Sequence, residues 1–339
     1  MVKAASRDTN AGENATERGP VLLFGMARSG TTWVGKLFDS HRNTLYRHEP
    51  DTVQRLNDIL AICPDRGAVP PEALARLRLY AQTLAQRNEP RVCTKMPVFP
   101  KAYMSPAHFR GFQANITLNK FAERAGINIP VMNTGGAASR AGAVVVWKSI
   151  ESLGRLGVLL DAIPGARAVH LVRHPCGSIA SVRRGEAGGS FTSATPASED
   201  WHFYDCLLDT AQARKYGLTK AQLVECSPLE RMAWSWVIIN EKAMTECAPD
   251  PRYLLMRYED ICEDPLTQTR RMFMHCGLSV DTQAEAFITR SVTGRSGNYY
   301  SVFKDPTESA DKWRHELSAA DARAVAAVVE HTAPGRLFA

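Results

Sequence analysis

The chain has 339 residues, of which 45% are hydrophobic and 22% charged, and its formal net charge is +6. These proportions are typical of a folded globular protein and exclude a disordered or fibrous chain. The positive excess is too small to indicate nucleic-acid binding, but it suits a pocket for a polyanionic small molecule. We therefore expect one large α/β domain that has no nucleic-acid partner.

Residues 1–19 are small and polar and lack the apolar core of a signal peptide, so they are predicted to form a disordered leader. The apolar runs, such as 144–147, are far shorter than the roughly 20 residues that span a bilayer. The eight cysteines form no CxxC pair and no zinc-type spacing, which predicts reduced thiols and no bound metal. Together these features predict a cytoplasmic protein without a membrane anchor.

The first half of the chain begins with an apolar strand at 21–26, a glycine-rich loop and a helix at 32–40. Leu56, Ile59 and Leu60 suggest a further helix, and Pro71 begins another. A helix is predicted near 118–125, and the small residues at 134–138 indicate a loop. Residues 52–140 are therefore predicted to be a mainly helical insertion, with Lys95 and Lys101 in an acceptor pocket.

Strands and helices alternate regularly in the second half. Strands are predicted at 143–147, 168–172 and 253–256, and helices at 153–163, after Pro175, at 228–244 and after Pro265. A polar loop is expected at 293–312, followed by a last helix capped by Ser318. This rhythm predicts a central parallel sheet covered by helices on both faces. We expect a single domain over 20–339, with the insertion above the carboxyl edge of the sheet, where ligands bind in such folds.

The loop after the first strand has the composition of an anion cradle. Residues 25–33 read Gly-Met-Ala-Arg-Ser-Gly-Thr-Thr-Trp. At such a strand–loop–helix junction the backbone N–H groups converge, and the helix N-terminus adds partial positive charge. Arg28 adds a cationic fork, while Thr31 and Thr32 add hydroxyl donors. The fold class predicted is thus a P-loop-like three-layer α/β fold.

A nucleotide-hydrolysing P-loop would carry lysine after its second glycine, but Thr31 stands at that place. The run Arg-Ser-Gly-Thr-Thr-Trp instead resembles the loop of sulfotransferases that use 3′-phosphoadenosine 5′-phosphosulfate (PAPS). In that family the loop holds the 5′-phosphate and the sulfuryl group, and a tryptophan at the place of Trp33 often lies against the adenine. The resemblance implies a donor site made of Arg28, Ser29, Gly30, Thr31, Thr32 and Trp33.

The resemblance continues in a second segment. Arg173 ends a predicted strand, and Ser181 follows eight residues later in the next helix, facing the same cleft. Sulfotransferases use such a pair to bind the 3′-phosphate, a group that ATP lacks. A basic loop further along often contacts the same phosphate in the family, and Arg295 and Lys304 are the two candidates for that contact.

Sulfuryl transfer requires an in-line arrangement, cations near the departing oxygen and a base near the acceptor hydroxyl. Arg28 supplies one cation, and Lys148, at the end of a strand, is the second candidate. Many carbohydrate, tyrosyl-protein and bacterial sulfotransferases carry a glutamate at the place of Glu49, which the resemblance makes the base. His48 is the rival, because its ordinary pKa suits the task. Neighbours on an extended segment point opposite ways, so we expect one of the two to face the donor.

The leading hypothesis is transfer of a sulfuryl group from PAPS to a hydroxyl acceptor, a sugar or small alcohol rather than a phenol, with 3′,5′-ADP as product. A small-molecule kinase with a degenerate P-loop and a non-catalytic nucleotide-binding protein are the alternatives. The sequence does not specify the acceptor or the oligomeric state.

Overall fold

The computed structural model describes residues 18–57, 59–127, 129–189, 195–293 and 306–339. The strands in these ranges are β1 Val21–Phe24, β2 Thr44–His48, β3 Val144–Ser149, β4 Arg167–Val172 and β5 Tyr253–Arg257. The α-helices in the same ranges are α1 Thr31–Ser40, α2 Pro50–Val53, α3 Pro71–Thr83, α4 Pro90–Cys93, α5 Pro106–Arg124, α6 Gly135–Arg140, α7 Leu156–Ala162, α8 Pro175–Ala187, α9 Trp201–Leu208, α10 Ala211–Lys215, α11 Lys220–Glu225, α12 Pro228–Cys247, α13 Tyr258–Glu263, α14 Pro265–His275, α15 Thr282–Thr293, α16 Pro306–Asp311, α17 Trp313–Glu316 and α18 Ala319–Val329. Short 3-10 helices lie at Arg66–Ala68, Leu84–Gln86, Leu153–Arg155, Ala197–Glu199 and Gly335–Leu337.

The strands form one parallel sheet in the order β2-β3-β1-β4-β5. The central strand β1 is only four residues long and fully buried, as expected of a strand that has neighbours on both sides and helices on both faces. The predicted α/β fold with a central parallel sheet is therefore confirmed.

Alternate residues of β1 serve two cores. Leu22 and Phe24 pack with Trp147 and the apolar residues of α7 and α12, whereas Val21 and Leu23 pack with those of α1, α14 and α15. Burying each large apolar side chain contributes roughly 1.5–3 kcal/mol, so the two layers together hold the sheet in place. The period of two along the strand thus accounts for the three layers.

Residues 52–140 contain α3 to α6 and attach to the sheet at its β2 edge. The ammonium group of Lys101 donates to the carbonyl of His41 and pairs with Asp39 Oδ1 at 3.0 Å, so Lys101 is buried and does not line an open pocket. Lys36 pairs with the same carboxylate at 2.6 Å. The single domain over 20–339 and the acceptor-side role of 52–140 stay predictions.

The helix predicted around Leu56, Ile59 and Leu60 is wrong. After α2 the chain is irregular in its described part, with Ile59 buried under the helical layer. The guanidinium of Arg155 donates hydrogen bonds to the carbonyls of Leu56 and Ile59 at 3.2 and 2.7 Å. Those carbonyls therefore have hydrogen-bond partners without a helix, and the side chains of Leu56 and Ile59 pack into the core individually.

The loop predicted at 134–138 is also wrong, because α6 begins at Gly135. The side chain of Asn133 accepts from Gly135 N at 2.7 Å and so satisfies an amide of the first turn. A Cβ at Gly135 would lie 1.6 Å from the Ala85 carbonyl oxygen, so this glycine serves close packing rather than a turn. In the polar loop predicted at 293–312, residues 306–311 form α16, and residues 294–305 lie outside the described residues.

The predicted cap of the last helix is confirmed, because Ser318 accepts from Asp321 N at the start of α18. The helix predicted at 118–125 belongs to α5, which begins well before that range and is capped by Ser105. All eight cysteines are free thiols, as predicted. Within the described ranges no helix is long and apolar enough to cross a membrane. The disordered leader at 1–19 stays a prediction, since 1–17 lie outside the described residues.

Candidate active site

The residues predicted to carry the chemistry meet along the carboxyl edge of the sheet. Glu49 follows β2, Lys148 lies near the end of β3, the loop at 25–30 follows β1, and Arg173 follows β4. Because β2, β3, β1 and β4 are successive parallel neighbours, these positions form a continuous row. The predicted catalytic pair is on one side of the loop and the predicted 3′-phosphate residues are on the other.

The loop ends in an unprotected helix N-terminus. Gly30 is the N-cap of α1, has a left-handed φ of 93° and offers no side chain to the first-turn amides. The N–H groups of Thr31 and Thr32 therefore have no intrahelical acceptor. Ser29 is only 2% exposed, and its hydroxyl has no hydrogen-bond partner among the described residues. Buried donors of this kind fit an oxyanion ligand such as a phosphate or sulfuryl group.

Two glycines allow the loop its close approach to neighbouring elements. A Cβ at Gly25 would lie 2.5 Å from the Leu171 carbonyl oxygen, and one at Gly30 would lie 2.3 Å from the Tyr258 ring. Larger residues would push the loop away from β4 and α13. The spacing of these glycines thus reflects packing as well as the anion cradle.

Arg28 spans the cleft toward α8. Its backbone is left-handed, with φ of 70°, and its Nε donates to Ser181 Oγ at 3.0 Å. Arg184 Nη2 donates to the same hydroxyl at 3.2 Å. The hydroxyl of Ser181 is therefore held between two guanidinium groups, which is a strongly cationic setting for a phosphate.

Arg173 is 8% exposed and fixed on several sides. Its Nη1 donates to the Arg28 carbonyl at 3.1 Å, its Nη2 donates to the Ser309 carbonyl at 2.6 Å, and the Tyr258 ring lies 4.9 Å from its guanidinium carbon. Its Nε is buried without a partner among the described residues. Arg173 and Ser181 both contact Arg28, the former at its carbonyl and the latter at its side chain, and the Nε donor of Arg173 is available for a ligand.

Arg184 was missed by the sequence analysis. It lies three residues after Ser181 on α8, so the two side chains share a helix face, and that spacing could have identified it. Its guanidinium also contacts both carboxylate oxygens of Glu316 in α17. The carboxyl-terminal helices therefore close one side of the cleft.

On the other side, Glu49 and Lys148 form an ion pair. Glu49 N also donates to the Lys148 carbonyl at 2.8 Å, which extends the β2–β3 ladder past the end of β2. Lys148 is 1% exposed, and burial lowers its pKa even though the Glu49 carboxylate acts to raise it. The structure therefore places an acid and a cation in direct contact at the predicted catalytic position.

His48 and Glu49 approach each other, although neighbours on an extended segment point opposite ways; that only one of them faces the donor stays a prediction. Glu49 has a left-handed backbone, with φ of 47°, so the alternation of an extended segment ends there. As a result His48 Nε2 lies 3.9 Å from Glu49 Oε1. Burial lowers the pKa of His48 well below its ordinary value, and the cations of Lys148 and Lys95 lower it further.

The buried carboxylate of Asp51 links the segments that carry the Glu49–Lys148 pair, and the sequence analysis did not identify it. Asp51 accepts from Trp147 Nε1 at 3.2 Å and from Ser152 Oγ at 2.5 Å, and it contacts the hydroxyl of Ser149. Trp147 and Ser149 flank Lys148 in β3, while Asp51 lies two residues after Glu49. Asp51 thus ties together the two segments that carry the ion pair.

Lys95 brings a further charge from the 52–140 segment. Its carbonyl contacts the ammonium group of Lys36, which anchors this part of the segment to α1. Burial lowers the pKa of Lys95, and the nearby cation of Lys148 adds to that effect. Lys95 therefore lies in the electrostatic neighbourhood of the Glu49–Lys148 pair.

Three predicted donor contacts remain predictions. Trp33 is 9% exposed, donates through Nε1 to Ser291 Oγ at 3.1 Å and lies edge-on to Tyr258 with ring centroids 6.0 Å apart. Most of the Trp33 ring is thus buried in the core, and its contact with an adenine stays a prediction. Arg295 and Lys304 lie outside the described residues.

A strand–loop–helix junction on a P-loop-like sheet, flanked by cations and one carboxylate, is the arrangement expected of a group-transfer enzyme of the α/β class. The sequence profile described as the sulfotransferase family matches residues 20–282. The chain therefore belongs to the sulfotransferase family.

Curated relatives and solved structures are similar over most of the chain. Mouse carbohydrate sulfotransferase 5 is 26% identical over 334 residues, covering 91% of this chain and 78% of the relative. Human carbohydrate sulfotransferase 6 is 26% identical over 327 residues, with 90% and 77% covered. The sulfotransferase domain of the olefin synthase from Synechococcus PCC 7002 is 17% identical, with 94% and 98% covered and a TM-score of 0.42.

Proposed function

We propose that the protein transfers a sulfuryl group from PAPS to the hydroxyl of a sugar or a small alcohol, with Glu49 as the base. The observation that supports this most directly is the row of groups on the sheet edge. An anion loop lies between the Glu49–Lys148 pair and the Arg173–Ser181 pair. This arrangement suits a donor that carries an anionic group at each end and reacts at one of them.

The donor supplies an activated sulfur–oxygen bond. Glu49 receives the proton of the acceptor hydroxyl while the acceptor oxygen bonds to sulfur. The bond between sulfur and the bridging oxygen breaks, and its electron pair leaves with 3′,5′-ADP. Lys148 and the helix N-terminus at Thr31 stabilise the negative charge that develops on the departing oxygen. Arg28, which cannot give up a proton, contributes charge alone.

The resting ion pair gives each partner a defined state before reaction. Lys148 is almost fully buried, so its charge is stabilised by Glu49 until an anionic donor competes for it. Such competition loosens the Lys148 contact and leaves the carboxylate of Glu49 available for the acceptor proton. The pair therefore couples donor binding to activation of the base.

Donor selectivity is the first test. Wild-type protein is expected to bind 3′,5′-ADP more tightly than ATP in calorimetry, because the Arg173–Ser181 pair addresses a 3′-phosphate. Arg173→Ala should weaken 3′,5′-ADP binding about 10- to 100-fold, since a hydrogen-bonded charge contact contributes about 1.5–3 kcal/mol. Binding of 5′-AMP should change far less.

Arg183→Ala is the matched control for that test, because Arg183 lies on α8 but is half exposed and pairs with Asp321 at 3.3 Å. It should leave both affinities unchanged. Tighter binding of ATP than of 3′,5′-ADP would contradict the proposal and favour the kinase alternative. If Arg173→Ala weakened the binding of 3′,5′-ADP and of 5′-AMP equally, Arg173 would not belong to the 3′-phosphate site.

The acceptor class is supported by the relatives, whose names describe carbohydrate sulfotransferases. Incubation of the protein with labelled PAPS and panels of saccharides, aliphatic alcohols and phenols, read by the mass gain of SO₃, identifies the acceptor. A phenol as the best acceptor would contradict this part of the proposal. The cytoplasmic location stays a prediction, which fractionation of the source cells would test.

A further inference from the structure

The strand β2, which ends just before Glu49, carries a tyrosine–histidine contact that the reaction above does not use. Tyr46 and His48 are two residues apart on β2, so their side chains lie on the same face of the strand. Tyr46 Oη and His48 Nδ1 are 2.9 Å apart. The left-handed turn at Glu49 then brings its carboxylate to 3.9 Å from the other ring nitrogen, Nε2.

The direction of the Tyr46–His48 hydrogen bond follows from the acceptors that lie within hydrogen-bond distance of the Tyr46 hydroxyl. Tyr46 is buried, and in the part of the chain that the structure describes, His48 Nδ1 is the acceptor recorded for its hydroxyl. A buried hydroxyl that accepted from Nδ1–H would leave its own proton unpaired, which costs about 1–3 kcal/mol. Tyr46 therefore donates, and the lone pair of Nδ1 is occupied.

The protonation states of the two groups agree with this assignment. Burial lowers the pKa of His48, and the cations of Lys148, Lys95 and Lys36 act in the same direction, so the ring is neutral near pH 7. Burial raises the pKa of Tyr46, and the carboxylates of Asp39 and Glu49 add to this, so the phenol keeps its proton. A neutral imidazole that accepts at Nδ1 carries its hydrogen on Nε2.

We propose that Tyr46 is a positioning residue that holds His48 in the Nε2–H tautomer, so that His48 directs a hydrogen at Glu49 and cannot itself take the acceptor's proton. The inference rests on the proposed function and assigns separate roles to the two candidate bases. His48 orients the carboxylate, and Glu49 receives the proton. The 3.9 Å separation is longer than a hydrogen bond, as is common in catalytic sites before the substrate is bound.

Two amide substitutions separate a hydrogen donor from a base. In His48→Gln the side-chain nitrogen can stand near the place of Nε2 and donate to Glu49, whereas in His48→Asn it stands near Nδ1 and faces Tyr46. We expect kcat/KM of His48→Gln to exceed that of His48→Asn at least about tenfold, because misplacing a reacting group by an ångström can cost about 100-fold. If His48 were the base, both variants would lose about 100-fold or more alike, which would overturn the inference.

Nitrogen-15 chemical shifts of the His48 ring give a readout that does not depend on turnover. Wild-type protein should show the Nε2–H tautomer, and Tyr46→Phe should shift the ring towards a mixture. Tyr103→Phe is the matched control, because Tyr103 donates to the Thr44 carbonyl at 3.1 Å without contacting His48, and it should leave the ring unchanged. An Nδ1–H tautomer in the wild type, or a ring indifferent to Tyr46→Phe, would overturn the inference.

The failure of the proposed function is distinguishable from these outcomes. Glu49→Gln should lose sulfuryl transfer about 100-fold or more if Glu49 is the base. Full activity of Glu49→Gln would contradict that role of Glu49 even if the His48 ring shows the expected tautomer. Loss of activity in Glu49→Gln together with the wrong tautomer would contradict the role of Tyr46 alone.

Discussion

At the scale of single residues, the backbone is strained where the chemistry is proposed. Arg28 and Glu49 are the non-glycine residues with positive φ in the described ranges, at 70° and 47°. Each such conformation costs roughly 1–3 kcal/mol and persists only when its surroundings hold it. The contacts of Arg28 with Ser181 and of Glu49 with Lys148 supply that restraint. Both residues were selected from the sequence for their side chains, and the strain is independent support for a functional role.

A comparison of glycine with alanine at Glu49 tests the strain. Glu49→Gly and Glu49→Ala lose the same carboxylate and the same contact with Lys148, but alanine keeps the penalty of a left-handed backbone. That penalty is about 1–2 kcal/mol, and the greater freedom of glycine in the unfolded chain offsets about 0.4–1 kcal/mol of it. Urea unfolding should therefore show the glycine variant to be more stable by about 1 kcal/mol.

The same pair of substitutions at Glu246 serves as control. Glu246 lies in α12, where alanine should be the more stable of the two by about 1 kcal/mol. An alanine variant at position 49 as stable as the glycine variant would contradict the idea that Glu49 is held in a strained conformation.

At the scale of elements, buried charges fasten α1 to the 52–140 segment. Asp39 lies between the ammonium groups of Lys36 and Lys101, and all three side chains are buried. Burial acts to raise the pKa of Asp39, but the two lysines outweigh it and hold that pKa below its ordinary value. Lys101 also donates to the His41 carbonyl and to Thr44 Oγ1, at the start of β2. The cluster thus fixes the segment next to the strand that carries His48.

Asp39→Ala should therefore destabilise the protein by about 3–5 kcal/mol in urea unfolding, because it leaves two buried cations without a counter-charge. Asp39→Ala combined with Lys101→Met should recover part of that loss, since one unpaired cation is removed. Asp311→Asn is the control, because Asp311 is largely exposed in its pair with Arg314 and should change stability by less than about 1 kcal/mol. No recovery in the double variant would show that the lysine charge is not the cause.

At the scale of the whole molecule, buried and partly buried histidines make the fold sensitive to acid. Burial is the leading cause of a lowered pKa for His41, His48, His170, His174 and His275. The pKa values of His170 and His174 fall to about 4. Between those values and the ordinary 6.5, the unfolded chain binds protons that the folded chain does not. The neutral buried rings therefore contribute to the free energy of unfolding in full above pH 6.5, and this contribution is lost as the pH falls towards 4.

Unfolding free energies measured from pH 7.5 to 5 should therefore decrease, with each such histidine contributing up to about 1.4 kcal/mol per pH unit within its window. His170→Gln should make the decrease shallower, because one of these groups is removed. His331→Gln should not change it, since His331 is 90% exposed. Stability that rises on acidification over this range would contradict the prediction.

The sequence was sufficient for features that depend on neighbours along the chain. Apolar runs identified β1, β3 and β4, because strands with a neighbour on each side and helices on both faces are rich in apolar residues, and a further apolar run identified the edge strand β5. The glycine spacing at 25–30 and the Arg173–Ser181 spacing identified two local motifs, each contained in one strand–loop–helix unit. The family was therefore readable before any distance was known.

Tertiary structure decided what depends on residues far apart. The strand β2, whose Arg47 and His48 broke the apolar pattern, forms because β3 pairs with it at the sheet edge. The approach of His48 to Glu49 depends on a left-handed turn that no residue preference predicts for glutamate. Direct contacts with Ser181 and Glu316 show where Arg184 acts, and the contact of the Tyr46 hydroxyl with His48 makes Tyr46 relevant to that histidine. Such roles arise from three-dimensional contact, because a side chain's chemistry depends on partners that the fold brings to it from other segments.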